Sequence, residues 1–154
     1  MSVKRSELEL QAILRETRPQ LFRLALAIVA NRDVAEDVTQ ETLMRASRSF
    51  TKLSLVDDPI SWLRRVLVRC ATDSFSSRPK PCYSDEQTSE FVTNDLAVRL
   101  TLDRLTPSDR ALLALVHFEE LSYREISQTL DIPEGTVASR VFAARQAFRK
   151  EWQK

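Results

Sequence analysis

Two groups of cationic and hydroxyl side chains recur at helical spacing in this 154-residue chain. In WLRRVLVRCATD, Arg65, Arg69 and Thr72 fall four and three residues apart, with Arg64 beside them. In GTVASRVFAARQAF, Thr136, Ser139, Arg140 and Arg145 lie largely away from the apolar positions Val137, Val141, Ala144 and Phe148. Guanidinium groups along a helix displace the counterions condensed on nucleic-acid phosphates, and a polar helix face addresses base edges and backbone in the major groove. The chemistry these residues can do is therefore binding. No nucleophile stands with a base, no ligand cluster has metal spacing, and no glycine loop is built to cradle phosphate, so no catalytic residue, metal or cofactor is expected. His117, among Leu112, Leu113, Leu115, Val116 and Phe118, reads as a structural core histidine. Cys70 and Cys82 are too few and too unlike paired CxxC for a metal site, and read as free thiols.

These side chains need helices to position them. From Leu121 to Arg145 the chain reads as a helix-turn-helix. Ser122 can cap the first helix and Glu125 can reach back to it, the reciprocal pattern of a capping box. Ile126 and Leu130 share one face; Asp131-Ile132-Pro133 ends the helix, and Glu134 opens the next where the dipole favours negative charge. Gly135, the chain's single glycine, lies where this motif brings backbone close. Nearer the start, Ser6 to Ala30 keeps helical spacing, with Pro19 expected to begin a second helix. Asp33 is expected to cap a helix from Val34 to about Phe50, whose outer surface includes Glu36, Asp37, Gln40, Glu41, Met44 and Arg45. Thr51 to Asp58 reads as a loop, after which Asp58 and Pro59 open the arginine-bearing helix. Its apolar stripe comprises Trp62, Leu63, Val66, Leu67 and Cys70.

Residues 74–95 shift to serine, proline and acidic residues without a sustained period, which predicts a flexible linker. Helical spacing resumes through Leu96, Leu100, Leu102 and Leu105, and Thr106 with Pro107 opens the helix carrying His117. One glycine in the chain and a 43% hydrophobic content argue against sandwiches and barrels. They predict an all-α protein of two small helical domains: residues 1–76, a linker at 77–95, and a four-helix domain with the helix-turn-helix at 96–154. The formal net charge of +1 identifies no partner, so local clustering must carry that argument. No apolar run is long enough to span a bilayer and the N-terminus has no signal-peptide core, so a cytoplasmic protein without membrane insertion is expected.

Four segments, in order, carry a family resemblance: RPQLFRLALAIVANRDVAEDVTQETLMRA, WLRRVLVRCATD, LDRLTPSDRALLALVHFEELSYREISQTL and GTVASRVFAAR. The chain resembles the extracytoplasmic-function group of bacterial RNA polymerase sigma factors over nearly its whole length. The resemblance implies that Asp37, Gln40, Glu41 and Met44 dock on the clamp coiled coil of the polymerase largest subunit, with a further contact at the flap. It implies that the helix from Trp62 to Asp73 meets the start-proximal promoter element as the strands separate, with Arg64, Arg65 and Arg69 toward DNA. The second domain would read the upstream element in the major groove, with Ser139 and Phe142 near bases, Arg140 and Arg145 near phosphates, and Thr136 on the same helix. An anti-sigma factor is an implied partner, and bond-making belongs to the polymerase. The sequence departs from the family pattern at Arg69, where asparagine is usual, and at Ser74, Ser76, Ala138 and Ala143, where basic residues are common. The serines and alanines at those positions keep in view a sigma-like decoy for polymerase or an anti-sigma factor, and a stand-alone helix-turn-helix regulator is a separate alternative.

Overall fold

A computed structural model of the chain describes residues 4–74 and 96–154. Among them are eight α-helices and no strand, as the composition predicts: α1 (Glu7–Val29), α2 (Arg32–Arg48), α3 (Phe50–Leu53), α4 (Pro59–Ser74), α5 (Leu96–Asp103), α6 (Pro107–His117), α7 (Tyr123–Leu130) and α8 (Glu134–Trp152). The first four form one unit and the last four another. The expected linker at 77–95, with Ser76 and Cys82, lies outside the described residues.

α1 is the post around which the first unit is built. Leu10, Leu14, Thr17, Leu21, Leu24 and Ile28, at alternating steps of four and three, are all buried. This is the stripe a helix needs to pack along its length against neighbours. From Leu24 to Ala30 every residue is buried, because here α1 is enclosed by α2, α4 and α6 together. Pro19 does not start a second helix: α1 runs through it. The bond proline forfeits leaves the Arg15 carbonyl, four residues back, on an exposed stretch where water can satisfy it. Burial on both sides of the proline holds the helix together.

Local capping mostly follows the residues. Ser6 and Glu9 form a capping box at α1, and Thr106 accepts from the Asp109 amide at α6. At α2 the cap is Asn31, whose Oδ1 accepts from the Val34 amide at 3.1 Å; Asp33 sits in the first turn. Asparagine is as good a cap as aspartate, and Asn31 supplies the extended backbone a cap requires. The stretch 51–58 is more ordered than a loop. α3 makes one helical turn there, and Arg5 reaches across to donate to the carbonyls of Val56 and Asp57 at 2.5 and 3.1 Å.

The second unit wraps α5, α6 and α7 around α8, whose Val137, Val141 and Ala144 are fully buried. Two sequence expectations fail here. His117 and Phe118 are exposed at the end of α6, since the inward face of that helix is Ala111, Leu112, Ala114 and Leu115. In α5, Leu96 and Leu100 face outward, while Thr101 and the following Leu105 are buried. An eight-residue helix at the edge of a unit offers only one turn's width to the core.

The two units do not stand apart. A single apolar cluster contains Leu24, Ile28, Leu63 and Leu67 from the first and Ala111, Leu115, Ile126 and Val137 from the second. α6 packs against α1 and α4, and α7 lies across α4. Each fully buried leucine in such a core contributes about 2 kcal/mol relative to an exposed one.

Candidate nucleic-acid interface

The helix-turn-helix is assembled as its residues require. Ser122 Oγ accepts from the Glu125 amide at 3.1 Å, while Glu125 Oε2 accepts from the Ser122 amide at 2.7 Å. The Ser122 amide, and the Ser122 hydroxyl beside it, hold the Glu125 carboxyl below its ordinary range. α7 ends on Asp131 in the left-handed conformation, φ 55° and ψ 50°, which aspartate tolerates better than most residues. Pro133 then caps α8 from outside. Ser127 Oγ donates to the Ile132 carbonyl at 2.5 Å and fixes the turn.

With Val137, Val141 and Ala144 turned inward, α8 presents an outer face of Ser139, Arg140, Phe142 and Arg145, with Thr136 half-buried beside it. Phe142 is 65% exposed and lies three residues from both Ser139 and Arg145. Arg145 also donates to the Tyr123 hydroxyl at 3.4 Å, which ties this face to the start of α7. Ala138 and Ala143 are exposed on the same helix. Gly135 corrects an expectation. Its φ is not positive, and a Cβ built on it meets nothing within 4 Å, so nothing among the described residues requires a bare backbone there.

The other cationic group divides. α4 begins at Asp58, whose carboxylate accepts from the Ser61 amide at 3.1 Å and from its hydroxyl at 2.6 Å. Burial pushes this carboxyl up, but the Ser61 and Ile60 donors, with the Arg64 charge, bring it below the ordinary aspartate range. Arg69 is exposed near the far end, and Ser74 closes the helix by donating to the Ala71 carbonyl. Arg64 and Arg65 point into the second unit. Arg64 Nε and Nη2 both donate to Glu119 Oε2, at 3.2 and 3.0 Å, and Gln20 Nε2 donates to the same oxygen at 2.9 Å. The Arg64 and Glu119 side chains are only 14% and 7% exposed. Arg65 pairs with Asp131 at 3.0 Å in a largely open setting. Sequence reasoning missed Glu119 and Gln20. Their partners lie 55 and 99 residues away, and no local pattern points to them.

Asp37, Gln40 and Met44 are exposed along one strip of α2, with Glu41 half-buried beside them and accepting from Arg45 at 3.0 Å. The structure thus gathers all four expected docking residues on one face. Cys70 is buried, and burial pushes its thiol up despite the Arg45 charge nearby, which makes it a poor nucleophile. Among the described residues no group of His, Cys, Asp and Glu is placed to hold a metal, and no helix is long and apolar enough to cross a membrane.

Comparison with known proteins gives this geometry a family. Residues 13–80 match sigma-70 region 2, and residues 95–148 match sigma-70 region 4. The chain is 28% identical over 139 residues to the RNA polymerase sigma factor SigV of Bacillus subtilis, covering 86% of this chain and 84% of that one. It is 29% identical over 151 residues to the ECF RNA polymerase sigma factor SigE of Mycolicibacterium smegmatis, covering 89% of this chain and 59% of the relative. In fold it is similar to the sigma factor RpoE of Bartonella quintana, crystallised with the anti-sigma factor NepR, with a TM-score of 0.71, 22% identity, and coverage of 94% and 97%. Two successive sigma-70 regions, the second ending in a helix-turn-helix with a polar outer face, place the protein in the extracytoplasmic-function group of RNA polymerase sigma factors.

Proposed function

We propose that the sigma activity is divided among three faces of this chain: α2 for the polymerase, α4 for the separating strands, and α8 for the upstream duplex. The observation that carries the division is the outer face of α8, where Ser139, Arg140, Phe142 and Arg145 stand clear of a fully buried Val137–Val141–Ala144 seam. A helix held this way enters a major groove with its core packing undisturbed. Arg140 and Arg145 take phosphates, and Ser139 and Phe142 meet base edges. On α4, Arg69 and Arg65 hold the backbone of the opened strand, with Arg64 beside them. On α2, Asp37, Gln40, Glu41 and Met44 meet the clamp of the largest subunit. The flap contact falls to the second unit, where Val98, Leu102, Leu113, Phe118, Phe148 and Trp152 line an apolar groove of about 610 Å³.

The protein itself is not an enzyme; it supplies binding surfaces, and the polymerase makes the phosphodiester bond. It acts in the cytoplasm with polymerase, and an anti-sigma factor is a partner, as for the Bartonella relative. The first domain is residues 1–76 and the second 96–154, with the linker between. The test is transcription in vitro with core polymerase on fragments of the source genome. The expected result is initiation at a small set of start sites sharing an upstream element, with core affinity falling about tenfold in Gln40→Ala/Glu41→Ala. Failure to bind core or to start transcription on any fragment overturns the proposal.

The decoy function keeps one supporting observation, the exposed and uncharged Ala138 and Ala143 on α8. A position without a cation leaves its phosphate unneutralised, which weakens binding and lowers its salt dependence by about one unit of slope. Core binding without reactive, unpaired promoter thymines would favour that function instead.

A further inference from the structure

The segment that leads into α4 is held from the far end of the first unit's sequence. After Leu53 the chain leaves α3 on long backbone bonds, from Leu55 to the Lys52 carbonyl at 3.2 Å and from Val56 to the Leu53 carbonyl at 3.3 Å. Ser54 Oγ donates back to the Thr51 carbonyl at 2.7 Å. Arg5 then closes the segment. Its amide donates to the Ser54 carbonyl at 3.1 Å, and its Nη1 and Nη2 donate to the carbonyls of Val56 and Asp57 at 2.5 and 3.1 Å. The capping box of Ser6 with Glu9 fixes where α1 begins, and so where Arg5 stands. One residue therefore ties the start of α1 to the entry of α4, and every partner in this clamp belongs to the first unit.

What that entry borders gives the clamp a purpose. A cleft of about 400 Å³ opens at the first turns of α4, with Val56, Asp57, Ser61, Trp62 and Arg65 on one wall and α7 opposite. An aromatic side chain with a guanidinium nearby suits an unpaired base and its phosphate, while hydroxyl and backbone at the edge favour one base over another. We infer that Arg5 is a positioning residue for strand opening: its fork on the Val56 and Asp57 carbonyls holds the loop wall against which α4 receives an unpaired promoter base. The inference rests on the proposed role of α4. Arginine suits the task because its planar guanidinium aims several donors in fixed directions, whereas a lysine ammonium is a point charge on a mobile stem. Both are cations, so exchanging them separates geometry from charge. Without the fork, residues 54–57 move more freely, while the buried Leu53 and Pro59 keep the ends of the segment in place. Losing Arg5 thus loosens selection before it costs the fold.

Arg5→Ala and Arg5→Lys test this as full chains with core polymerase, on a promoter fragment from which the parent initiates. Reactivity of unpaired thymines should fall about tenfold in Arg5→Ala, with core affinity unchanged. Discrimination against single-base substitutions in the start-proximal element should also fall about tenfold, at one position and not across the element. Arg5→Lys should keep most of the defect. In the free protein, amides of residues 54–57 should exchange hydrogen faster in both variants, and those inside α4 should not. Parental opening and discrimination in Arg5→Ala overturn the inference, and full recovery in Arg5→Lys overturns the fork in favour of charge alone. A uniform loss at every position of the element overturns the assignment to this wall. Where Arg5→Ala fails to fold, Arg5→Lys carries the same measurements, and parental behaviour in it overturns the inference. Arg65→Ala/Arg69→Ala separates the two readings. Unaltered opening there overturns the role of α4 and the inference with it, whereas impaired opening there beside parental Arg5 variants overturns the inference alone.

Discussion

Gly135 shows how a residue's meaning depends on what approaches it. It is the chain's single glycine, it occupies the first turn of α8, and it neither adopts a positive φ nor meets a neighbour within 4 Å. Helical glycine costs roughly 0.5–1 kcal/mol relative to alanine, and within this fold nothing offsets that cost. Gly135→Ala should therefore raise the free energy of unfolding by about 0.5–1 kcal/mol in urea titrations. If the bare backbone serves the DNA, the same variant binds an upstream-element duplex more weakly than the parent. Stabilisation with unchanged duplex affinity would show that no close approach is made there. Glu119 is the opposite case: its side chain is surrounded, and its partners decide what it does.

At the scale of the element, α4 is the helix on which most depends. It begins on a cap built from Asp58, Pro59 and Ser61, buries Leu63, Leu67, Cys70 and Ala71, and carries its arginines on the remaining surface. The cap has a definite pH dependence. Because the native Asp58 carboxyl lies below the ordinary aspartate value of 3.8, its contribution is fully present above that value. It is lost as pH falls through the depressed native value. Asp58→Ala should cost about 1 kcal/mol near neutrality, and the gap between variant and parent should close in strong acid. A gap that persists unchanged in acid, followed by chemical unfolding across pH, would place the stabilisation elsewhere than in the ionised cap. α7 and α8 divide their labour differently: the capping box starts the first, and the buried valines aim the second.

For the whole molecule, the shared core is the governing fact. Leu115 on α6 and Ile126 on α7 are fully buried in a cluster that also holds Leu24, Leu63 and Leu67 of the first unit. Calorimetry of the full chain should show one transition, and Leu115→Ala should lower it as a whole at a cost of about 3 kcal/mol. Two resolved transitions, with only one moved by the variant, would contradict a common core. The same packing explains why the outer face of α8 is open while two of the three arginines of α4 are occupied. The second unit sits on the first by the flank of its helix-turn-helix, with the outer face of α8 turned away.

The local devices were legible in the residues because each depends on neighbours in the chain. Ser122 and Glu125, Thr106 and Pro107, and the Val137–Val141–Ala144 seam need only helical geometry to be read, and so do the all-α class and the strip of Asp37, Gln40, Glu41 and Met44. Where two local signals competed, the fold decided. Pro19 lost to burial on both sides of it, and Asn31 displaced Asp33 as the cap because its backbone is extended. Leu96, Leu100, His117 and Phe118 have apolar or core-like settings in sequence yet face outward, since periodicity defines a stripe without saying whether a neighbour covers it. The pairing of Arg64 with Glu119 and Gln20 was out of reach altogether. It joins residues 55 and 99 positions apart, and long-range charge pairs leave no period in a sequence. The sequence by itself determined the all-α class, most of the helices and caps, and which polar side chains their outer faces carry. Only the tertiary structure decided which of those faces the molecule keeps for itself, because that depends on how two separately legible units share one core.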